Sequence, residues 1–70
     1  MQRQLVSSSN LRSVGYDPLN RVLEVEFLNS SIYHYLGVPS STYASLMKAE
    51  SKGGYLSRQV KGVYSYRRVR

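Results

Sequence analysis

Lys52, Tyr55, Arg58, Lys61, Tyr64, Tyr66, Arg67 and Arg68 interleave five cations with three tyrosines near the end of the chain. Lysine and arginine hold phosphates and phenol rings stack on bases, so this mixture suits contact with a single-stranded polyanion. The alternative is that the rings are core and the cations merely solvate a surface. The stretch Ser51-Lys52-Gly53-Gly54 offers a second local chemistry. Glycines at a helix start let backbone N–H groups approach an anion, the helix dipole attracts it, and Lys52 adds a point charge. The stretch lacks the glycine spacing and the Lys-Ser/Thr pair of a Walker A loop. Its glycines equally permit a tight link between two helices.

Catalysis lacks parts. One histidine and four acidic residues must supply any base, and a Ser-His-Asp arrangement would need Asp17 or a glutamate to orient His34 beside a serine. Glu24 and Glu26 lie two apart, but exposed carboxylates among cations are more often solvated or salt-bridged than paired for acid–base work. With no cysteine and no cluster of His, Asp and Glu, a metal centre has too few ligands. The expectation is a non-enzyme with neither metal nor cofactor.

The net charge of +6 is unevenly placed. Residues 1–35 carry Arg3, Arg12 and Arg21 against Asp17, Glu24 and Glu26. Residues 36–70 carry Lys48, Lys52, Arg58, Lys61, Arg67, Arg68 and Arg70 against Glu50 alone. All of the excess lies in the second half, which favours a polyanionic partner. The chain has no apolar run near the roughly 18 residues of a membrane span, and residues 1–15 lack the continuous apolar segment expected of a secretory signal. The absence of cysteine agrees with a reducing cytosol, and a cytoplasmic location is expected.

Seventy residues make one domain with a thin core, since a chain this short buries only about 60% of the surface its unfolded form exposes. Several of the seven tyrosines must therefore be structural. Residues 1–7 read as a flexible N-terminal arm. Leu11 to Tyr16 reads as a strand, and Leu11 and Val14, three apart, cannot share one face without a bulge. Asp17-Pro18 sets a turn, with Asn20 tolerant of the left-handed position. Leu23, Val25 and Phe27 alternate with Glu24 and Glu26, the period of a half-buried antiparallel strand.

A hairpin must then lead to Ile32-Tyr33-His34-Tyr35. A two-residue loop at Asn29-Ser30 would put both tyrosines on the glutamate face. A three-residue loop, Asn29 to Ser31, sets Phe27 opposite Tyr33, Val25 opposite Tyr35 and Glu26 opposite His34. The second is preferred because it gathers Val25, Phe27, Tyr33 and Tyr35 on one apolar face, where helices cover the tyrosines. The alternative leaves them as an exposed stacking platform. Past Pro39, Tyr43, Leu46 and Met47 form a helical stripe. A second helix runs from an N-cap at Ser51 toward Gly62, with Tyr55, Leu56 and Val60 inward. Tyr64 and Tyr66 then share one side of a terminal strand or tail.

The ordered set of Ser8-Ser9-Asn10, Gly15-Tyr16-Asp17, Leu23 to Phe27, Tyr33-x-Tyr35, Val38-Pro39, Ser51-Lys52-Gly53 and Tyr64-x-Tyr66 resembles the KTSC domain family. That family is named for C-terminal domains of lysyl-tRNA synthetases and also occurs as free-standing small proteins. The likeness runs from Ser8 to Val69. Leu56 and Ser57 stand where the family tends to have phenylalanine and asparagine, and Ser30-Ser31 replace the usual hairpin glycine. The resemblance implies RNA binding through its attachment to a tRNA-charging enzyme.

The expected architecture is a single α+β domain over residues 1–70: a three-stranded antiparallel meander (11–16, 22–27, 32–36), two short helices on one face, and a C-terminal strand or tail. The expected role is a nucleic-acid-binding module, RNA above DNA. Its candidate contact residues are Lys52, Gly53, Arg58, Lys61, Tyr64, Tyr66, Arg67 and Arg68. The alternatives are an interaction module that docks an acidic protein or a second copy of itself, and capture of a small phosphorylated ligand at Ser51 to Gly54.

Overall fold

The alternating segment Val22–Phe27 becomes the middle strand, β3, of a five-stranded antiparallel sheet in a computed structural model that describes residues 1–70. Around it lie β1 (Arg3–Leu5), β2 (Leu11–Asp17), β4 (Ile32–Tyr35) and β5 (Tyr66–Arg68), in the spatial order β1-β2-β3-β4-β5. Two helices, α1 (Ser40–Lys48) and α2 (Lys52–Gln59), are inserted between β4 and β5. The architecture is α+β, and no helix is long and apolar enough to cross a membrane.

The sheet's apolar face supplies Leu11, Val14, Leu23, Val25 and Tyr35, and the rest of the core comes from Val38, Leu46 of α1, Leu56 of α2 and Val60. Full burial of each aliphatic side chain contributes about 1.5–3 kcal/mol, so this small set carries most of the driving force. Leu11 and Val14 both enter the core because the β2–β3 register slips between Leu11 and Ser13, the expected bulge.

One end differs from expectation, and the other settles an alternative. Residues 1–7 are not a free arm: Arg3–Leu5 pair with Gly15, Val14 and Ser13 as an edge strand, and the Val6 N–H donates to the Arg12 carbonyl at 3.1 Å. At the other end Tyr66–Arg68 pair with Tyr35, His34 and Tyr33, so the tail is a strand.

The hairpin keeps the expected parity but shifts its register. Phe27 and Ser31 close a loop of Leu28, Asn29 and Ser30, with the Phe27 N–H on the Ser31 carbonyl and the Ser30 N–H on the Phe27 carbonyl, both at 2.9 Å. Tyr33 therefore lies opposite Val25, Tyr35 opposite Leu23 and His34 opposite Glu24, instead of Phe27, Val25 and Glu26. A turn closed by a left-handed residue at Ser30 (φ 74°) needs its third position there, which moves the loop one residue earlier. In the β2–β3 turn the left-handed residue is Arg21 (φ 57°), not Asn20. The Asn20 amide is instead held by Asp17, whose side chain accepts from the Leu19 and Asn20 N–H groups and from Asn20 Nδ2.

Pro39 is the N-cap of α1, one place before the first turn, and Ser51 caps α2, its Oγ accepting the Gly54 N–H at 3.1 Å. After α2 the Lys61 N–H reaches the Leu56 carbonyl and Gly62 (φ 78°) turns the chain toward β5.

Candidate functional site

The helix-side face of the sheet is not fully covered. Between α2 and the β3–β4–β5 end lies an open groove of about 670 Å³, floored by Phe27, Tyr33, Tyr35 and Tyr66. Cross-strand pairing places Tyr35 and Tyr66 side by side on this face. The Tyr33–Tyr66, Tyr35–Tyr66 and Tyr33–Tyr35 ring centroids are 5.8, 6.1 and 6.4 Å apart, and Phe27 meets Tyr33 edge-on at 5.5 Å. Tyr35 is sealed in the core, Tyr33 is half-buried and Tyr66 is 63% exposed. The parity argument is thus right for Tyr35, while Tyr33 bridges core and groove. Burial pushes the Tyr35 phenol up to about 12, with neighbouring Tyr33 and Tyr66 adding to the rise.

On the helix side the groove is lined by Gly53, Leu56, Ser57, Lys61 and Gly62. Lys61 Nζ sits over the Phe27 ring, 5.2 Å from its centroid. The far wall comes from Asn10, positioned by Ser8, whose Oγ accepts the N–H groups of Asn10 and Leu11 at 3.2 Å. The hairpin tip closes the end. There the Asn29 side-chain oxygen accepts from the Ser31 N–H and hydroxyl. None of the lining residues is acidic.

The residues singled out in the sequence do not form one surface. Gly53, Lys61 and Tyr66 line the groove, and Arg68 shares its sheet face through pairing with Tyr33. Arg67 pairs with His34 and so projects from the opposite face. Lys52 donates to the Ala49 carbonyl at 3.2 Å and lines a polar cleft with Ser7, Ser8, Ser9, Glu50 and Ser51. Arg58 folds back against Gly54 at the start of α2. Tyr64 packs on the core with its hydroxyl 3.3 Å from Thr42 Oγ1. The glycines are needed for packing: a Cβ at Gly53 would lie 3.0 Å from Asn10 Nδ2, and one at Gly54 2.9 Å from Ser51 Oγ.

Asn10, Asn29 and Phe27 are among the groove residues that the sequence did not single out for contact. They come from the charge-neutral half, and the signal that could have found Phe27 is its parity with the Tyr33-x-Tyr35 pair.

On the opposite face the two strand glutamates are saturated. Glu24 contacts Arg3 Nη1 at 3.0 Å and His34 Nε2 at 2.7 Å. Glu26 accepts from Ser13 Oγ at 2.8 Å and Arg70 Nη2 at 3.0 Å, with Arg3 and Arg12 at 3.8 Å. Burial acts to raise Glu24, but hydrogen bonds from His34 and Arg3 outweigh it and hold the carboxyl below its ordinary value. Glu26 is lowered by the Ser13 hydrogen bond first and then by the three arginines, against the opposing effect of burial.

Residues 7–66 match the family model of the KTSC domain. The chain is 40% identical over 70 residues to an uncharacterized protein of Stutzerimonas stutzeri, covering 99% of each. It is 34% identical over 61 residues to a lysine–tRNA ligase of a Nostoc species, covering 87% of this chain but 11% of the enzyme. The crystal structure of a KTSC domain protein from Yersinia pestis superposes with a TM-score of 0.95 at 45% identity, covering 99% of this chain and 97% of that one. With the match spanning nearly every element from β2 to β5, the chain belongs to the KTSC domain family.

Proposed function

We propose that this protein is a non-catalytic nucleic-acid-binding module, RNA preferred, acting in the cytoplasm. One observation carries the reading: every salt bridge in the structure uses Glu24 or Glu26, and Arg70 is the only cation of the second half to take part. Lys48, Lys52, Arg58, Lys61, Arg67 and Arg68 have no carboxylate partner, so their field is uncompensated and available to a polyanion. The similarity to a segment of a lysine–tRNA ligase favours RNA over DNA.

The cations are distributed over both faces, so few of them can hold one strand. With two phosphates neutralised, log K falls against log salt with a slope of about −1.4; at five it approaches −4.5 on duplex. Nuclear magnetic resonance shift mapping of the labelled chain with a short single-stranded RNA, repeated at two salt concentrations, tests this. Salt-insensitive binding or absence of shifts removes the proposal.

A second reading has its own observation. Both outer strands, β1 and β5, are short and exposed, and Leu5 on β1 is 79% exposed, so either edge could pair with another chain. Concentration-dependent sedimentation with no RNA-induced shifts would favour self-association.

A further inference from the structure

We propose that the groove between α2 and the β3–β4–β5 end of the sheet seats one unpaired nucleobase, stacked on Tyr66, with the Asn10 carboxamide at its edge and Lys61 toward its phosphate. The inference rests on the nucleic-acid reading above and gives it a site.

Tyr66 is the ring that can take a base. It is buttressed on its inner side by Tyr33 and Tyr35 at 5.8 and 6.1 Å, while 63% of the residue remains exposed. A ring already held by two others loses little freedom when a base lies on it, so stacking is retained as net affinity. Phe27 and Tyr33 extend the aromatic floor inward.

The polar groups fit the rest of a nucleotide. The side chains of Asn10 and Ser57 line the groove and make no hydrogen bond within the protein, whereas Asn29 is already engaged by Ser31. Asn10 lies against Gly53, where any larger residue would press on its amide. A carboxamide offers a donor and an acceptor together, the pattern needed to meet a base edge. Lys61 is the charged lining residue, Arg68 lies on the same sheet face, and no carboxylate lines the groove to repel a phosphate. The volume of about 670 Å³ falls within the range of roughly 300–1,000 Å³ typical of small-ligand sites.

The test is shift mapping of the full labelled chain with adenosine monophosphate and, separately, with a short oligoadenylate, on wild type, Tyr66→Ala, Tyr66→Phe and Asn10→Ala. Both probes are expected to shift the amides of Asn10, Leu28, Asn29, Ser57, Lys61 and Tyr66. Tyr66→Ala should weaken each probe about tenfold or more, whereas Tyr66→Phe, which keeps the ring, should stay within about twofold. Asn10→Ala should weaken the mononucleotide while leaving the chain folded. If the oligonucleotide shifts only His34, Arg67 and their neighbours on the opposite face, the groove assignment falls and the nucleic-acid reading stands. If neither probe shifts any resonance, both fall. Equal weakening by Tyr66→Ala and Tyr66→Phe would overturn the stacking role.

Discussion

Arg3 reaches Glu24 two strands away, Nη1 to Oε2 at 3.0 Å, by passing over Gly15 of the strand between them. Gly15 is Arg3's cross-strand partner, and a Cβ built there would lie 3.1 Å from Arg3 Cγ. One missing side chain thus does two things. It lets β1 dock closely, and it lets an edge arginine join the carboxylate cluster of the central strand. The strand glutamates are neutralised on the open face of the sheet by Arg3, Arg12 and Arg70, and the groove on the other face keeps its positive charge.

Gly15→Ala is expected to release β1. The added Cβ would meet the Gln2 carbonyl oxygen at 2.7 Å, a backbone atom that can give way only if the strand moves. Overpacking of this kind costs about 1–3 kcal/mol. Amide exchange should quicken at residues 3–5 while the β2–β5 pairing keeps its protection. Retained protection of β1 would show that the strand can shift without detaching.

Ser30→Gly is expected to stabilise the fold. Ser30 holds φ 74° at the third loop position, where a residue with a Cβ costs about 1–2 kcal/mol and glycine costs little. Against this, glycine adds about 0.4–1 kcal/mol of unfolded-state entropy. The net gain should be about 0.5–1 kcal/mol, a rise in Tm of about 2–8 °C for a domain of this size. An unchanged or lowered Tm would mean that the serine side chain supports the turn.

Much of this was legible in the sequence where one physical constraint dominated. The Leu23-Val25-Phe27 alternation placed β3, the three-residue spacing of Leu11 and Val14 required the bulge, and Ser51 was readable as a cap. The hairpin register was not, because Leu28 looks like a strand residue yet lies exposed in the loop, and its inclusion there shifts every pair. β1 was hidden because Arg3, Gln4 and Leu5 are all exposed, so its pairing leaves no alternation to detect. The groove was half legible: charge drew attention to Lys61 and Tyr66, while Asn10 reaches them only through the fold.

Acid should destabilise the protein through Glu24 and Glu26. Both carboxyls lie below their ordinary value of 4.5 when folded, so the unfolded chain takes up protons first as pH falls. Their contribution is present above pH 4.5 and is lost as pH drops through the lowered folded values. Thermal melts should show Tm nearly level from pH 7 to 5 and declining below 4.5. Glu26→Gln should flatten part of that decline, and a variant whose Tm falls as steeply as wild type would exclude Glu26 as its source.

At the alkaline end the group is Tyr35. Burial first, and then Tyr33 and Tyr66, raise its phenol from 10.0 to about 12. The folded state therefore holds a proton that the unfolded state releases earlier, so the contribution is complete below pH 10 and is lost as pH rises through about 12. Tyr35→Phe should keep the ring packing and leave Tm near neutral pH little changed, since it removes no hydrogen bond found in the structure. The variant should lose less stability than wild type between pH 10 and 12, and its near-ultraviolet tyrosinate titration should lack the latest phase. Equal alkaline losses in the two proteins would exclude Tyr35 as their source.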